Sequence, residues 1–122
     1  MAVSDNLKRG TLELCVLTLL SSSDMYGYEI SQTLLTKSNG LYQIQETSLY
    51  PTLYRLVEKE CITSRTEKVG KRRVRVYYHI EAKGLEYLKC IRKEYLLHAV
   101  GVFKILDLPC QTKGIINEQE SD

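Results

Sequence analysis

The 122-residue sequence predicts a mostly helical α+β fold of three short helices, a two-stranded hairpin and a long final helix. Apolar residues recur at helical spacing in three segments before residue 60, two alternating segments flank a basic turn after it, and heptads fill the last segment. Three helices followed by a hairpin form the plan of a winged helix-turn-helix domain. We expect a winged domain over residues 1–81, a dimerisation helix over 82–108 and a polar, flexible tail over 109–122.

Two helices are predicted in the first third of the chain. The first should run from about Leu7 to Ser22 and bury one face, formed by Leu12, Val16, Leu19 and Leu20. The second should bury Ile30, Leu34 and Leu35. Asn39 and Gly40 then predict a left-handed exit from that helix.

A third helix with two different faces is predicted from about Ser48 to Glu60. Thr47 and Ser48 are candidate N-caps, and Pro51 should fall within the first turn. An apolar stripe recurs at Leu49, Leu53, Leu56 and Val57. Hydroxyl, tyrosine and basic side chains that can meet phosphates and base edges are expected largely off the stripe: Ser48, Tyr50, Pro51, Thr52, Tyr54, Arg55 and Lys59. The alternatives are an ordinary amphipathic surface helix and, for Tyr50, inward packing.

The hairpin concentrates positive charge. Strands are expected over Cys61–Glu67 and Val74–Ile80, joined by a basic tip at Lys68–Arg73. Of the 17 basic and 15 acidic residues in the chain, six basic and one acidic fall between Arg65 and Arg75, so acidic residues outnumber basic ones elsewhere, 14 to 11. A local basic patch of this kind favours an anionic partner. A solvated charged hairpin is the alternative.

One long helix should extend from Ala82 to about Leu106. Its heptad seam predicts pairing with the same helix of a second copy, through Leu85, Leu88, Arg92, Tyr95, Ala99, Val102 and Leu106. Packing against the first helix of the same domain is the competing interpretation. The polar tail that follows Leu108 and Pro109 should be frayed.

Composition indicates other properties. The four cysteines have no metal-ligand spacing, and Cys15 and Cys90 lie in apolar segments, so buried reduced thiols in a cytoplasmic protein are expected. No apolar run is long enough to span a membrane. His79 and His98 lack companions for catalysis, so neither an enzyme nor a metal or cofactor is expected. A redox regulator using Cys61 is a weaker alternative.

Several motifs, in this order, resemble the PadR-like transcriptional regulators over about residues 8–88. They are Gly10–Glu13, Tyr26–Ile30, Leu49–Pro51 with Leu53 and Leu56, Tyr77–Tyr78 and Gly84. The short C-terminal region is similar to the subfamily that has a single dimerisation helix. The chain departs from the family pattern at Glu60, where glycine is usual, and at Glu81, where threonine is usual.

The resemblance implies a homodimeric DNA-binding regulator, a repressor relieved by a small hydrophobic or aromatic effector. The third helix would read a pseudo-palindromic operator in double-stranded DNA, while Lys71, Arg72 and Arg73 on the wing would contact phosphates. A candidate effector pocket comprises Leu14, Tyr87, Ile91, Tyr95 and Phe103, for which core packing is the alternative. A winged helix that binds only proteins is the other function we weigh.

Overall fold

The computed structural model describes residues 5–109, which form five helices and three strands. In chain order they are α1 (Asp5–Arg9), α2 (Leu12–Ser22), β1 (Met25–Tyr26), α3 (Gly27–Lys37), α4 (Glu46–Glu58), β2 (Ile62–Val69), β3 (Arg73–Ile80) and α5 (Ala82–Leu106). The chain forms two compact units that divide α5 after Leu88. The predicted winged helix-turn-helix fold with a long C-terminal helix is confirmed.

The prediction of one helix from Leu7 to Ser22 was wrong, because the chain turns at Gly10 and Thr11. The Thr11 backbone N–H and hydroxyl both donate to the carbonyl of Lys8, at 3.0 and 3.1 Å, and close α1. Glycine is costly inside a helix, so a break falls naturally at this place. The expected buried face of α2 is confirmed, and Leu17 is buried as well.

Helix α3 ends as its sequence predicts. Asn39 and Gly40 have positive φ angles of 56° and 84°. Their N–H groups donate to the carbonyls of Thr36 and Leu35 at 3.1 and 2.8 Å, which is a Schellman ending.

Helix α4 begins two residues earlier than expected. Gln45 occupies the N-cap position without a side-chain hydrogen bond, so neither Thr47 nor Ser48 caps the helix. Pro51 is therefore the sixth helical residue, beyond the predicted first turn. Because proline has no N–H, the carbonyl of Thr47 lacks the helical hydrogen bond that it would normally accept from residue 51.

The end of α4 is fixed by Glu60 in place of the glycine that the family pattern favours. Glu60 has a φ of 63°, its N–H donates to Val57 and the N–H of Cys61 donates to Leu56, both at 2.9 Å. This is the same Schellman geometry as at the end of α3. Glutamate adopts it at a cost of roughly 1–2 kcal/mol that glycine avoids.

The sheet has the order β1-β3-β2 and is antiparallel throughout. Ile62 pairs with Ile80 and Val69 with Arg73, so the wing strands are slightly longer than predicted and the connecting turn is residues 70–72. Tyr78 and Ile80 are buried, but Val74 and Val76 are 58% and 42% exposed. The outer half of the wing therefore extends beyond the core.

The core of the first unit lies between α2, α3, α4 and the root of the sheet. Its most deeply buried side chains are Val16, Leu17, Leu20, Ile30, Leu49, Leu53, Leu56 and Ile62. Gly84 lets the start of α5 approach this layer, because a Cβ there would lie 2.1 Å from the carbonyl oxygen of Cys61. The same carbonyl accepts a 2.9 Å hydrogen bond from the N–H of Glu81.

Helix α5 has the predicted bounds, Ala82–Leu106. Cys90 is exposed in this chain, which contradicts the expectation of a buried thiol; Cys61 is buried and Cys15 half-buried. Burial raises the pKa of the Cys15 and Cys61 thiols. Cys110 and the tail predicted beyond it fall outside the described residues. Among residues 5–109, no helix has the length and apolar character needed to cross a bilayer.

Candidate nucleic-acid interface

Helix α4 presents a polar face to solvent and an apolar face to the core, as its sequence predicts. Leu49, Leu53 and Leu56 are fully buried. The predicted site residues that are exposed on the other side are Ser48, Tyr50, Pro51, Tyr54, Arg55 and Lys59.

Thr52 is not on the exposed face, contrary to the prediction, since only 3% of its surface is accessible. It follows Leu49 by three residues and precedes Leu56 by four, so it shares the apolar stripe. Its hydroxyl oxygen accepts a 3.0 Å hydrogen bond from Nη2 of Arg55. Thr52 therefore orients a guanidinium on the exposed face instead of making a contact there itself.

The Lys59 ammonium is engaged within the protein, and its predicted contact with DNA stays a prediction. It lies 3.3 Å from Oε2 of Glu13, 3.4 Å from the Tyr87 hydroxyl oxygen and 5.0 Å from the centre of the Tyr87 ring. The Tyr87 hydroxyl donates to Glu13 Oε1 at 2.8 Å. Burial acts to lower the pKa of Lys59, but the bonds to Tyr87 and Glu13 outweigh it, so the pKa is raised.

The Lys59, Glu13 and Tyr87 cluster joins the end of α4 to α2 and the start of α5. Sequence reasoning missed it because Lys59 is separated by 46 residues from Glu13 and by 28 from Tyr87. The hydrogen bond to Glu13 raises the pKa of Tyr87. The cluster therefore anchors the C-terminal end of α4.

The two tyrosines of α4 have different surroundings. Tyr50 packs over Gly27 at the start of α3, where an added Cβ would lie 2.6 Å from its hydroxyl oxygen. This contact agrees with the inward-packing alternative, although part of the ring is exposed. Tyr54 is 66% exposed, and its hydrogen bond with Glu58 raises its pKa. Tyr54 is thus the more exposed of the two residues.

The wing carries two groups of cations. Arg65 pairs with Asp24 and Glu67 and lies 5.3 Å from the centre of the Tyr77 ring, while Arg75 lies 4.2 Å from the centre of the Tyr26 ring. Four others are exposed, and none of them makes a salt bridge within residues 5–109: Lys68, Lys71, Arg72 and Arg73. The wing tip therefore offers a cluster of positive charge to an outside partner.

Asp24 anchors the root of the wing. Its carboxylate contacts Nδ1 of His79 at 2.7 Å and accepts a hydrogen bond from Nη1 of Arg65. The bond to His79, followed by that to Arg65, lowers the pKa of Asp24. These contacts join the turn after α2 to both wing strands.

The predicted seam and pocket residues are divided between the two units. Along the seam Leu85, Tyr95 and Leu106 are exposed, while Leu88, Ala99 and Val102 are half-buried. Of the effector candidates, Leu14 and Tyr87 lie in the first unit, and Ile91, Tyr95 and Phe103 lie in the second. The dimer interface and the effector pocket stay predictions. The part of the chain described here has no cluster of three or more residues suited to hold a metal ion.

The fold and these surfaces define a winged helix-turn-helix protein with a basic wing. The transcriptional regulator PadR-like family matches residues 16–90. A protein of Lysinibacillus sphaericus described as uncharacterised is 37% identical over 106 residues, which are 87% of this chain and 94% of that protein. The chain belongs to the PadR-like family of transcriptional regulators.

Solved structures agree with this assignment. A transcriptional regulator from Clostridium thermocellum superposes with a TM-score of 0.76 at 35% identity, covering 84% of this chain and 97% of that one. A PadR family regulator from Eggerthella lenta gives 0.74 at 29%, covering 85% and 88%. Bacillus subtilis PadR in complex with operator DNA shares the fold, with a TM-score of 0.60 at 24% identity, covering 64% and 45%.

Proposed function

We propose that this protein is a DNA-binding transcriptional regulator in which α4 enters the major groove and the wing follows the adjacent backbone. One observation carries the proposal: the exposed polar face of α4 is accompanied by four wing cations that have no ion-pair partner within residues 5–109. Anionic phosphates supply the partner for such cations, and hydroxyl and guanidinium groups suit base edges and phosphates.

The contacts divide between the two elements. On α4, Ser48, Tyr54 and Arg55 are exposed and reach the DNA, and Pro51 packs against the backbone. On the wing, Lys71, Arg72 and Arg73 neutralise phosphates, which adds affinity and salt dependence but little sequence information.

The regulator acts as a homodimer paired through α5. The exposed seam residues Leu85, Tyr95 and Leu106 support this, because an uncovered apolar row at heptad spacing favours a partner helix. A two-fold dimer would read a pseudo-palindrome in double-stranded DNA with half-sites about 10 bp apart, or a multiple of that.

We propose repression in the cytoplasm, relieved by a small hydrophobic or aromatic molecule. A dimer bound across an operator obstructs other proteins at that DNA. A flat apolar molecule bound against Tyr95 and Phe103 of α5 would alter the pairing of the two α5 helices in the dimer and hence the spacing of the two α4 helices. The abundance of tyrosine and the absence of tryptophan limit the stacking residues to Tyr and Phe.

Selection of bound duplexes from a random pool tests this function. We expect enrichment of a palindrome, and loss of binding when a suitable aromatic or amphipathic molecule from a panel is added. A pool that yields no enriched palindrome would assign the fold to protein interaction instead.

Neutralising the wing gives a second test. Replacing Arg72 and Arg73 by Gln should weaken binding to all duplexes on the order of tenfold or more and reduce the salt slope by about 1.8 per protomer, since each lost phosphate contact removes about 0.9. The matched control replaces Lys83 and Lys104, two exposed cations of α5, by Gln. Anisotropy titrations over a range of salt concentrations measure both quantities. Equal slopes for the two double variants would show that the wing does not hold phosphates.

A further inference from the structure

A cleft of about 430 Å³ lies between α1 and the first half of α4. Its lining contains three cations, two hydroxyls and no acidic residue: Lys8, Arg9, Leu12, Ile44, Ser48, Pro51, Thr52 and Arg55. A lining of this charge disfavours a neutral apolar ligand and favours a small anionic group. The cleft opens beside the exposed face of α4.

The wall formed by α1 is held in place by the loop before α4. Lys8 is buried, and its ammonium donates to the carbonyl of Gln43. The Tyr42 hydroxyl in turn contacts the Lys8 carbonyl at 3.2 Å and the Thr11 hydroxyl at 2.9 Å. Tyr42 and Gln43 thus hold the last turn of α1, and with it one wall of the cleft, against the loop before α4.

Two guanidinium groups line this cleft, those of Arg9 and Arg55, and they differ in their contacts within the protein. Arg55 is oriented by the hydroxyl of Thr52, which is itself buried. Arg9 is exposed and makes no ion pair within residues 5–109. Guanidinium groups bind phosphate oxygens through two parallel N–H bonds, and the Ser48 hydroxyl can donate a third.

We infer that this cleft binds one phosphate of the DNA backbone, next to the point where α4 enters the groove. Arg9 and Arg55 hold the phosphate oxygens, Ser48 donates to them, and Thr52 is the positioning residue for Arg55. The inference rests on the proposed function and deepens it, because it assigns Arg55 to the backbone and adds α1 to the interface. Lys8 contributes its charge and anchors the wall.

Substitution of Arg9 tests the assignment directly. In the full-length protein, Arg9→Gln should reduce the salt slope of binding by about 0.9 per protomer and the affinity at 0.1 M salt by about 5–10-fold per protomer. The loss should be the same for the selected operator and for a duplex with a scrambled centre, since phosphates carry no sequence information. Arg9→Lys should retain most of the slope. A loss confined to the operator would overturn the phosphate assignment in favour of a base contact.

Substitution of Thr52 tests the positioning role. Thr52→Val keeps the shape but removes the acceptor for Arg55, and we expect several-fold weaker binding that Thr52→Ser restores. Equal affinity of the valine variant and the wild type would remove Thr52 from this role. Thermal unfolding of each variant, followed by circular dichroism, separates loss of contact from loss of fold.

Free phosphate offers the same chemistry as the DNA backbone, so one arm of the experiment separates the two sources. Exchanging chloride for inorganic phosphate at constant ionic strength should change wild-type DNA binding little. Binding of inorganic phosphate without DNA that Arg9→Gln abolishes, together with an unchanged DNA affinity of Arg9→Gln in chloride, would assign the cleft to a free anion and overturn the inference. Failure of the wild type to bind any duplex would instead overturn the proposed function, whereas normal binding with an unchanged Arg9→Gln slope overturns the inference alone.

Discussion

The two compact units differ in how far the apolar residues of their helices are buried. In residues 5–88, leucines at helical spacing such as Leu17, Leu53 and Leu56 are fully buried. In residues 89–109, Tyr95 is 42% exposed and Leu106 57% exposed, and both lie on the predicted heptad seam. Helices α2 and α4 of the first unit bury their apolar stripes, whereas within residues 89–109 the seam residues Tyr95 and Leu106 are exposed. Uncovered apolar surface of this kind marks an interaction site.

A core substitution in the first unit should have the largest effect. Leu53→Ala removes a buried side chain of α4 and leaves a cavity, so the free energy of unfolding should fall by about 2–5 kcal/mol. The control is Tyr54→Ala at the neighbouring exposed residue. This substitution should change the free energy of unfolding by about 0.5 kcal/mol or less. Urea unfolding measures both.

Similar costs for the two variants would mean that α4 does not have one buried and one exposed face. The reading-helix assignment depends on that difference. A small cost for Leu53→Ala alone would show instead that the first unit does not form a self-sufficient core.

A charge on the seam of α5 should have the next largest effect. Tyr95→Asp would bury an unpaired carboxylate in the predicted interface, so the dimer dissociation constant should rise by about 100-fold or more. Leu97→Asp is the matched control, because Leu97 lies two residues away and off the heptad seam. Sedimentation over a range of concentrations measures the dissociation constant.

Dissociation by Leu97→Asp with none by Tyr95→Asp would place the interface on another face of α5. Unchanged association of both variants would show that the second unit is covered by something other than a second copy. Either result would show that the apolar residues of the second unit are not covered by pairing of α5 through the heptad seam.

Much of this fold could be predicted because its signals are local. The apolar stripes of α2 and α4, the left-handed exit at Asn39 and the bounds of α5 all follow from residues within a few positions of one another. The two-residue strand β1 gave no such signal, since its pairing with β3 joins Met25 to Tyr78. A strand of two residues has too little alternation to be recognised.

The candidate site was harder to predict, for two different physical reasons. The spacing of Thr52 from Leu49 and Leu56 indicates a buried position. Its hydroxyl group instead favoured the polar face in the prediction. The ion pair of Lys59 with Glu13 was not readable, because tertiary packing alone brings the two together. A long, flexible side chain can reach several different partners. The sequence therefore predicts its position on a helix but not the residue that it contacts.

The root of the wing differs from its tip in the contacts of its charged side chains. The stability of the two parts should therefore respond differently to pH. Asp24 fixes the root through His79 and Arg65, with Glu67 and Glu81 as the neighbouring acidic groups. By contrast, within residues 5–109 the tip cations Lys71, Arg72 and Arg73 have no such contacts. Protonation of Asp24 should therefore weaken the root while it leaves the tip unaffected.

The smallest predicted effect is the stability lost with the Asp24 carboxylate. Its pKa is lowered in the folded protein from the ordinary value of 3.8. Its contribution is therefore complete above that value and is lost as the pH falls through the folded-state pKa. Asp24→Asn should be modestly less stable than the wild type at pH 7, and the difference should shrink below pH 3.8. Glu86→Gln, an exposed change on α5, serves as the control in urea unfolding at each pH. A difference that grows towards low pH would contradict the lowered pKa, because it would mean that the protonated carboxyl is the stabilising form.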